Sequence, residues 1–103
     1  MEYEEFESEL GDVAVTRDHI ERESRESEDW EKISENFSSE ELVDKIHFSK
    51  IEELKYQPES IFPYILFKVD GAWKRMFFRD GDRSEECFKL LEYRWKAFRQ
   101  IYR

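Results

Sequence analysis

Cys87 is the only cysteine of the chain, and two histidines, His19 and His47, are the only imidazoles. Nucleophilic catalysis needs a nucleophile, a base and an orienting group within hydrogen-bond reach. Cys87 lies in SEECFKLLEYRW, on the apolar side of a helical pattern, where burial disfavours the reactive thiolate. It therefore reads as a structural cysteine. His19 and His47 fall in strand-like patterns without visible partners, and His47, between Ile46 and Phe48, is expected to point away from both, into solvent. One cysteine and two distant histidines do not make a zinc site. The 26 carboxylates include no calcium-loop pattern, and Asp80-Gly81-Asp82 reads as a turn. No glycine-rich phosphate loop is present. These types and spacings predict a protein that is not an enzyme, with no metal, no cofactor and no small-molecule substrate implied.

A second kind of chemistry is better represented. The stretch Phe62 to Phe78, FPYILFKVDGAWKRMFF, is strongly apolar and aromatic, yet it carries Lys68, Lys74 and Arg75, with Arg79 just beyond. Lys68, Trp73, Arg75 and Arg79 are the candidate binding residues, since cations beside rings receive acidic-aromatic peptides, anionic lipid headgroups or single-stranded nucleic acid. The competing reading is that they solvate one side of a hairpin and pair with acids of the same chain. Charge distribution supports a receiving surface in either case. Residues 1–60 hold 20 acids against 7 bases, and residues 61–103 hold 6 against 10, within a net charge of −9. An acidic whole argues against duplex nucleic acid and favours a protein or peptide partner, with anionic lipid or single-stranded nucleic acid as the alternative.

The elements that must position these residues follow from periodicity. At 103 residues, 39% hydrophobic and 17% aromatic, the chain is long and ring-rich enough to bury the core of one domain. Residues 1–9, MEYEEFESE, read as an acidic, solvated tail or as an acidic-aromatic ligand for a basic groove; residues 10–103 read as the domain. LGDVAVTRDHI predicts a strand, a turn near Arg17-Asp18 and a return strand from His19. ERESRESED reads as an exposed charged loop, Trp30, Ile33 and Phe37 restart an apolar pattern, and SSEELV reads as a capped helical turn. KIHFSKIEELKYQ predicts one or two strands with a kink at Ser49-Lys50.

Asp70-Gly71 between two apolar runs predicts a two-residue type I′ hairpin, in which Val69 faces Ala72, Phe67 faces Lys74 and Ile65 faces Met76. Lys68, Trp73, Arg75 and Arg79 then share the opposite face; a three-residue loop would shift Trp73 away from it. Phe88, Leu91, Trp95, Phe98 and Tyr102, at spacings of 3, 4, 3 and 4, predict a C-terminal amphipathic helix widened by Cys87 and Ile101. Asp82 with Glu85 resembles a capping box, and Ser84 is the competing cap. A lone cysteine, no signal-like pattern in MEYEEFESEL and no apolar run long enough to span a bilayer predict a cytoplasmic protein.

IHFSKIEELKYQPESIFPYILFKVDGAWKRMFF followed by SEECFKLLEYRW resembles the second half of a pleckstrin-homology-like domain of the compact prokaryotic or GRAM type. GDVAVTRDHI resembles the opening hairpin of that group, so the likeness spans about Leu10 to Tyr102. It implies an α+β, mainly antiparallel fold: a bent barrel or sandwich of about seven strands closed by one C-terminal helix, with Phe88, Leu91, Trp95 and Phe98 as the plug. It also implies a binding module for phosphoinositides, peptides or proteins. Members that hold phosphoinositides use a basic loop between the first two strands. Thr16-Arg17-Asp18-His19 departs from that pattern, with one arginine beside one aspartate.

Overall fold

The computed structural model describes residues 4–9, 11–23, 42–60, 62–79 and 82–101. The expectations for the charged loop beyond Glu23, for Trp30, Ile33 and Phe37, for the helical turn before Leu42 and for Tyr102 lie outside the described residues. Among the described residues, seven strands and one long helix follow in chain order: β1 (Glu4–Ser8), β2 (Gly11–Val15), β3 (His19–Arg22), β4 (Lys45–His47), β5 (Ile51–Gln57), β6 (Tyr64–Val69), β7 (Ala72–Phe77) and α1 (Ser84–Ile101). All strand pairs are antiparallel. They form a four-stranded sheet, β1-β2-β3-β4, and a three-stranded sheet, β5-β6-β7. The expected α+β class is therefore present, but the two sheets do not close into a barrel.

The first correction concerns the N-terminus. Residues 4–8 are not a solvated tail: they pair with β2 from Glu4↔Val15 to Ser8↔Gly11. The alternation that looked like charge decoration is a strand pattern, with Phe6 buried while Glu4, Glu5 and Glu7 stay exposed. The expected opening hairpin, β2–β3, is consequently the second in the chain. Its turn forms as expected, with Thr16 N–H donating to the His19 carbonyl at 2.9 Å.

The kink at Ser49-Lys50 is a single 3-10 turn, Phe48–Lys50, which carries the chain from the first sheet to the second. Phe48 N–H donates to the Asp18 carbonyl (2.8 Å), while the Phe48 ring enters the core. A second junction is made by Val43, whose N–H donates to the Arg75 carbonyl at 3.2 Å, beside a parallel bridge from Leu42 to Arg75. The core between the layers is built from alternate positions: Val13 and Val15, Ile65 and Phe67, then Met76 and Phe78.

The β6–β7 hairpin has the predicted register, Val69↔Ala72, Phe67↔Lys74 and Ile65↔Met76. Asp70 and Gly71 have φ values of 52° and 79°, the left-handed pair a type I′ turn requires. A Cβ on Gly71 would meet nothing within 4 Å, so backbone conformation, not space, is what glycine satisfies there.

Helix α1 turns Cys87, Leu91 and Trp95 inward, with Phe88 and Phe98 half-buried beside them. Ile101 is 73% exposed, so the apolar stripe stops short of it. Phe98 makes the last inward contacts, on His47 and Phe48. The expected caps also differ. The Arg83 carbonyl accepts the first helical hydrogen bond, from Cys87 N–H, which leaves Ser84 inside the helix with its hydroxyl 2.7 Å from Tyr56 Oη. Asp82 instead closes the preceding turn by accepting from Arg79 N–H at 2.7 Å. The favourable i,i+4 pairs form at Glu85–Lys89 (3.2 Å) and Glu92–Lys96 (3.7 Å). Among the described residues, no helix is long and apolar enough to cross a membrane.

Candidate functional site

Strand alternation sends Tyr64, Leu66 and Lys68 of β6 to one face of the smaller sheet, level with Phe77, Arg75 and Trp73 of β7; Phe77 is buried there and the other five are half-buried. The partner on the other side is β5, which adds Gln57, Lys55 and Glu53 to the same three rows. Each row is thus a cross-sheet ladder. One reads Glu53, Lys68, Trp73; another reads Lys55, Leu66, Arg75; the third reads Gln57, Tyr64, Phe77.

Two ammonium groups converge on one indole. Lys55 Nζ lies 5.1 Å and Lys68 Nζ 5.9 Å from the centroid of Trp73. The Arg75 guanidinium carbon lies 5.8 Å from the Tyr64 ring, which itself packs against Phe77 at 5.4 Å. Cations over ring faces are attracted by the quadrupole, at roughly 0.5–1 kcal/mol each when exposed. The long stems of Lys55 and Lys68 cover apolar surface while their charged heads gather at the Trp73 ring.

Of the sequence-predicted residues, the fold brings Lys68, Trp73 and Arg75 onto this face and turns Arg79 elsewhere. Arg79 Nε lies 3.7 Å from the Glu9 carboxylate and 3.8 Å from that of Asp82. The Glu9 side chain is only 3% exposed, and its backbone N–H donates to the Phe77 carbonyl at 2.9 Å. Arg83 completes this acid-receiving corner by lying 4.8 Å over the Phe6 ring. The N-terminal acidic-aromatic strand is therefore met in cis by Arg79 and Arg83, away from the Trp73 face.

Lys55 was missed by the sequence reading because β5 was not paired with β6. The signal was there: Glu53, Lys55 and Gln57 alternate with Leu54 and Tyr56, and Pro58-Glu59-Ser60 follows as a turn.

The two histidines are not isolated. His19 and His47 face each other across β3 and β4. His19 Nδ1 lies 2.7 Å from Asp18 Oδ1 and 2.9 Å from Thr16 Oγ1, and its Nε2 is 3.4 Å from Glu21. The hydrogen bond from His19 holds the Asp18 carboxyl below its usual range. His47 Nε2 lies 4.0 Å from the other Asp18 oxygen, and its Nδ1 lies 2.8 Å from Ser49 Oγ. This superficially resembles a serine-histidine-carboxylate chain. However, Nδ1 also accepts the Ser49 backbone N–H at 3.1 Å, so the lone pair that would take the hydroxyl proton is engaged in capping the 3-10 turn. Beside it, an open groove of about 390 Å³ is lined by Arg17, Asp18, Arg94, Ala97, Phe98 and Ile101. Arg94 is held there by its hydrogen bond to the Val15 carbonyl, at 2.6 Å.

Cys87 is fully buried, and desolvation pushes its thiol up to about 12. The reading of this residue as structural is upheld by its environment. Among the described residues, no three His, Cys, Asp or Glu side chains are placed to hold a metal ion.

No family model, curated protein or solved structure matches the chain.

Proposed function

We propose that the chain is a non-catalytic, cytoplasmic binding module that takes an acidic-aromatic segment of a partner protein on the outer face of β5-β6-β7. The observation that carries this reading is the convergence of Lys55 and Lys68 on Trp73, with Arg75 beside Tyr64 in the adjoining rows. A carboxylate approaching Trp73 meets two ammonium groups already gathered there, and a neighbouring aromatic ring finds Leu66 and Tyr64 on the same face.

The scaffold we propose is pleckstrin-homology-like. Four strands, then three, then a C-terminal helix support that reading. Such a scaffold serves many ligands, so the site chemistry must choose among them. Anionic lipid would meet the same cations, but a chain of net charge −9 is repelled by an anionic membrane, whereas a short acidic peptide needs only the local field.

Calorimetric titration with a synthetic peptide of alternating Glu and Phe tests the reading. Lys68→Ala and Lys55→Ala are each expected to weaken binding about threefold, and Trp73→Ala by about tenfold or more. Arg79→Ala is expected to leave the affinity near that of the parent chain while lowering its urea midpoint, because Arg79 serves the buried Glu9. Equal affinities for the parent, Lys68→Ala and Trp73→Ala would refute the site.

A further inference from the structure

We propose that β5 is a self-complementary sheet edge through which two copies of this chain pair, antiparallel about a two-fold axis at Leu54, into one six-stranded sheet. Among the described residues, β5 pairs on one side only, with β6. Its first residues are already engaged: the Ile51 carbonyl accepts from Trp95 Nε1 at 3.2 Å, and the Glu52 carboxylate accepts from Gly71 N–H at 3.1 Å. A register shift between Ile51 and Glu53 separates them from the regular run that follows, Glu53 to Gln57. Pairing about Leu54 uses the Glu53–Lys55 part of that run, an antiparallel edge with no other partner among the described residues.

Charge then selects the register. A two-fold axis normal to the sheet can only oppose residues of the same face, because successive side chains alternate. With the axis at Leu54, Glu53 faces the partner's Lys55, and Lys55 faces the partner's Glu53. The neighbouring permitted registers put Glu53 against itself or Lys55 against itself, and like charges directly opposite are destabilising. Within one chain, Lys55 has Leu66 opposite it and no acid in its row, whereas Glu53 has Lys68. Pairing two copies completes the alternation: Trp73, Lys68 and Glu53 of one chain continue into Lys55, Leu66 and Arg75 of the other.

The other edges lack this property. Strand β1 presents Glu4, Glu5 and Glu7, so any self-pairing sets acid against acid. Strand β4, Lys45–His47, offers a lysine with no acid to oppose it, and the far side of β7 receives Glu9 and Val43. A second copy is thus the occupant that the β5 charges fit.

Sedimentation equilibrium of the full chain across a concentration series provides the test. The parent chain is expected to shift towards twice the monomer mass as concentration rises. Glu53→Lys and Lys55→Glu, each alone, create two like-charge pairs per dimer and should weaken self-association by about tenfold or more. Mixing these two variants in equal amounts should restore the dimer, since every opposed pair between unlike chains is again acid with base. Both positions are exposed, and unchanged thermal melts of the variants establish that folding is intact. A parent chain that stays monomeric throughout overturns the proposal. So does a variant that dimerises alone as well as the parent, or a mixture that remains monomeric while the parent dimerises.

Discussion

Asp18 shows how much one residue can organise when its neighbours are set by strand pairing. Its two oxygens face His19 at 2.7 Å and His47 at 4.0 Å, because β3 and β4 place those imidazoles opposite each other. Hydrogen bonding from His19 lowers its folded pKa below 3.8, the value for an unconstrained aspartate. Folding therefore favours the ionised form. The resulting stability is present above pH 3.8 and is lost as the pH falls through the lowered folded value. Asp18→Asn should accordingly be less stable than the parent at neutral pH, with the gap closing as the medium falls below about pH 4. Urea midpoints of the two chains along a pH series check this, and a gap that is constant with pH would contradict it. The effect will be small, since Asp18 is exposed to solvent. Nothing in the sequence disclosed this cluster: His19 and His47 are 28 positions apart, and only the β3–β4 pairing joins them. Cys87 was the opposite case, legible from its place in an apolar helical stripe.

At the scale of elements, the parts that were legible are those whose signal is local. The Asp70-Gly71 turn set the β6–β7 register, and the 3-4 spacing from Phe88 to Phe98 set α1. The kink at Ser49-Lys50 was readable for the same reason. Strand β1 was not, because one buried ring among exposed glutamates gives almost no hydrophobic signal; its partner β2 supplies what the segment lacks. The β5–β6 pairing escaped because a bulge and a turn bounded by prolines obscure its register. The structure makes β1 a structural strand rather than a ligand-like tail. Phe6 is 3% exposed and lies within the core cluster, so Phe6→Ala should cost about 3–5 kcal/mol by lost burial and the cavity left behind. Urea denaturation of the two chains measures it. A loss below about 1 kcal/mol would mean that the ring is not part of the core.

At the scale of the whole molecule, the opposed charges of the two halves meet in cis at one corner. Arg79 and Arg83 meet the N-terminal segment at Glu9 and Phe6. Lys55, Lys68 and Arg75 are gathered instead around Trp73 and Tyr64 on the outer face of the smaller sheet. Sequence periodicity placed all four candidate residues on one hairpin face; the structure keeps three there, sets Arg79 beside Glu9 and Asp82, and adds Lys55. The most direct measurement is an amide chemical-shift map of the full chain, titrated with the synthetic peptide of alternating Glu and Phe. Saturable shifts concentrated at Glu53–Gln57, Tyr64–Lys68 and Trp73–Phe77, together with the Trp73 indole N–H, are the predicted result. Shifts centred instead on the groove between Arg17 and Ile101, or none at all, would contradict the assignment of this face as the binding surface.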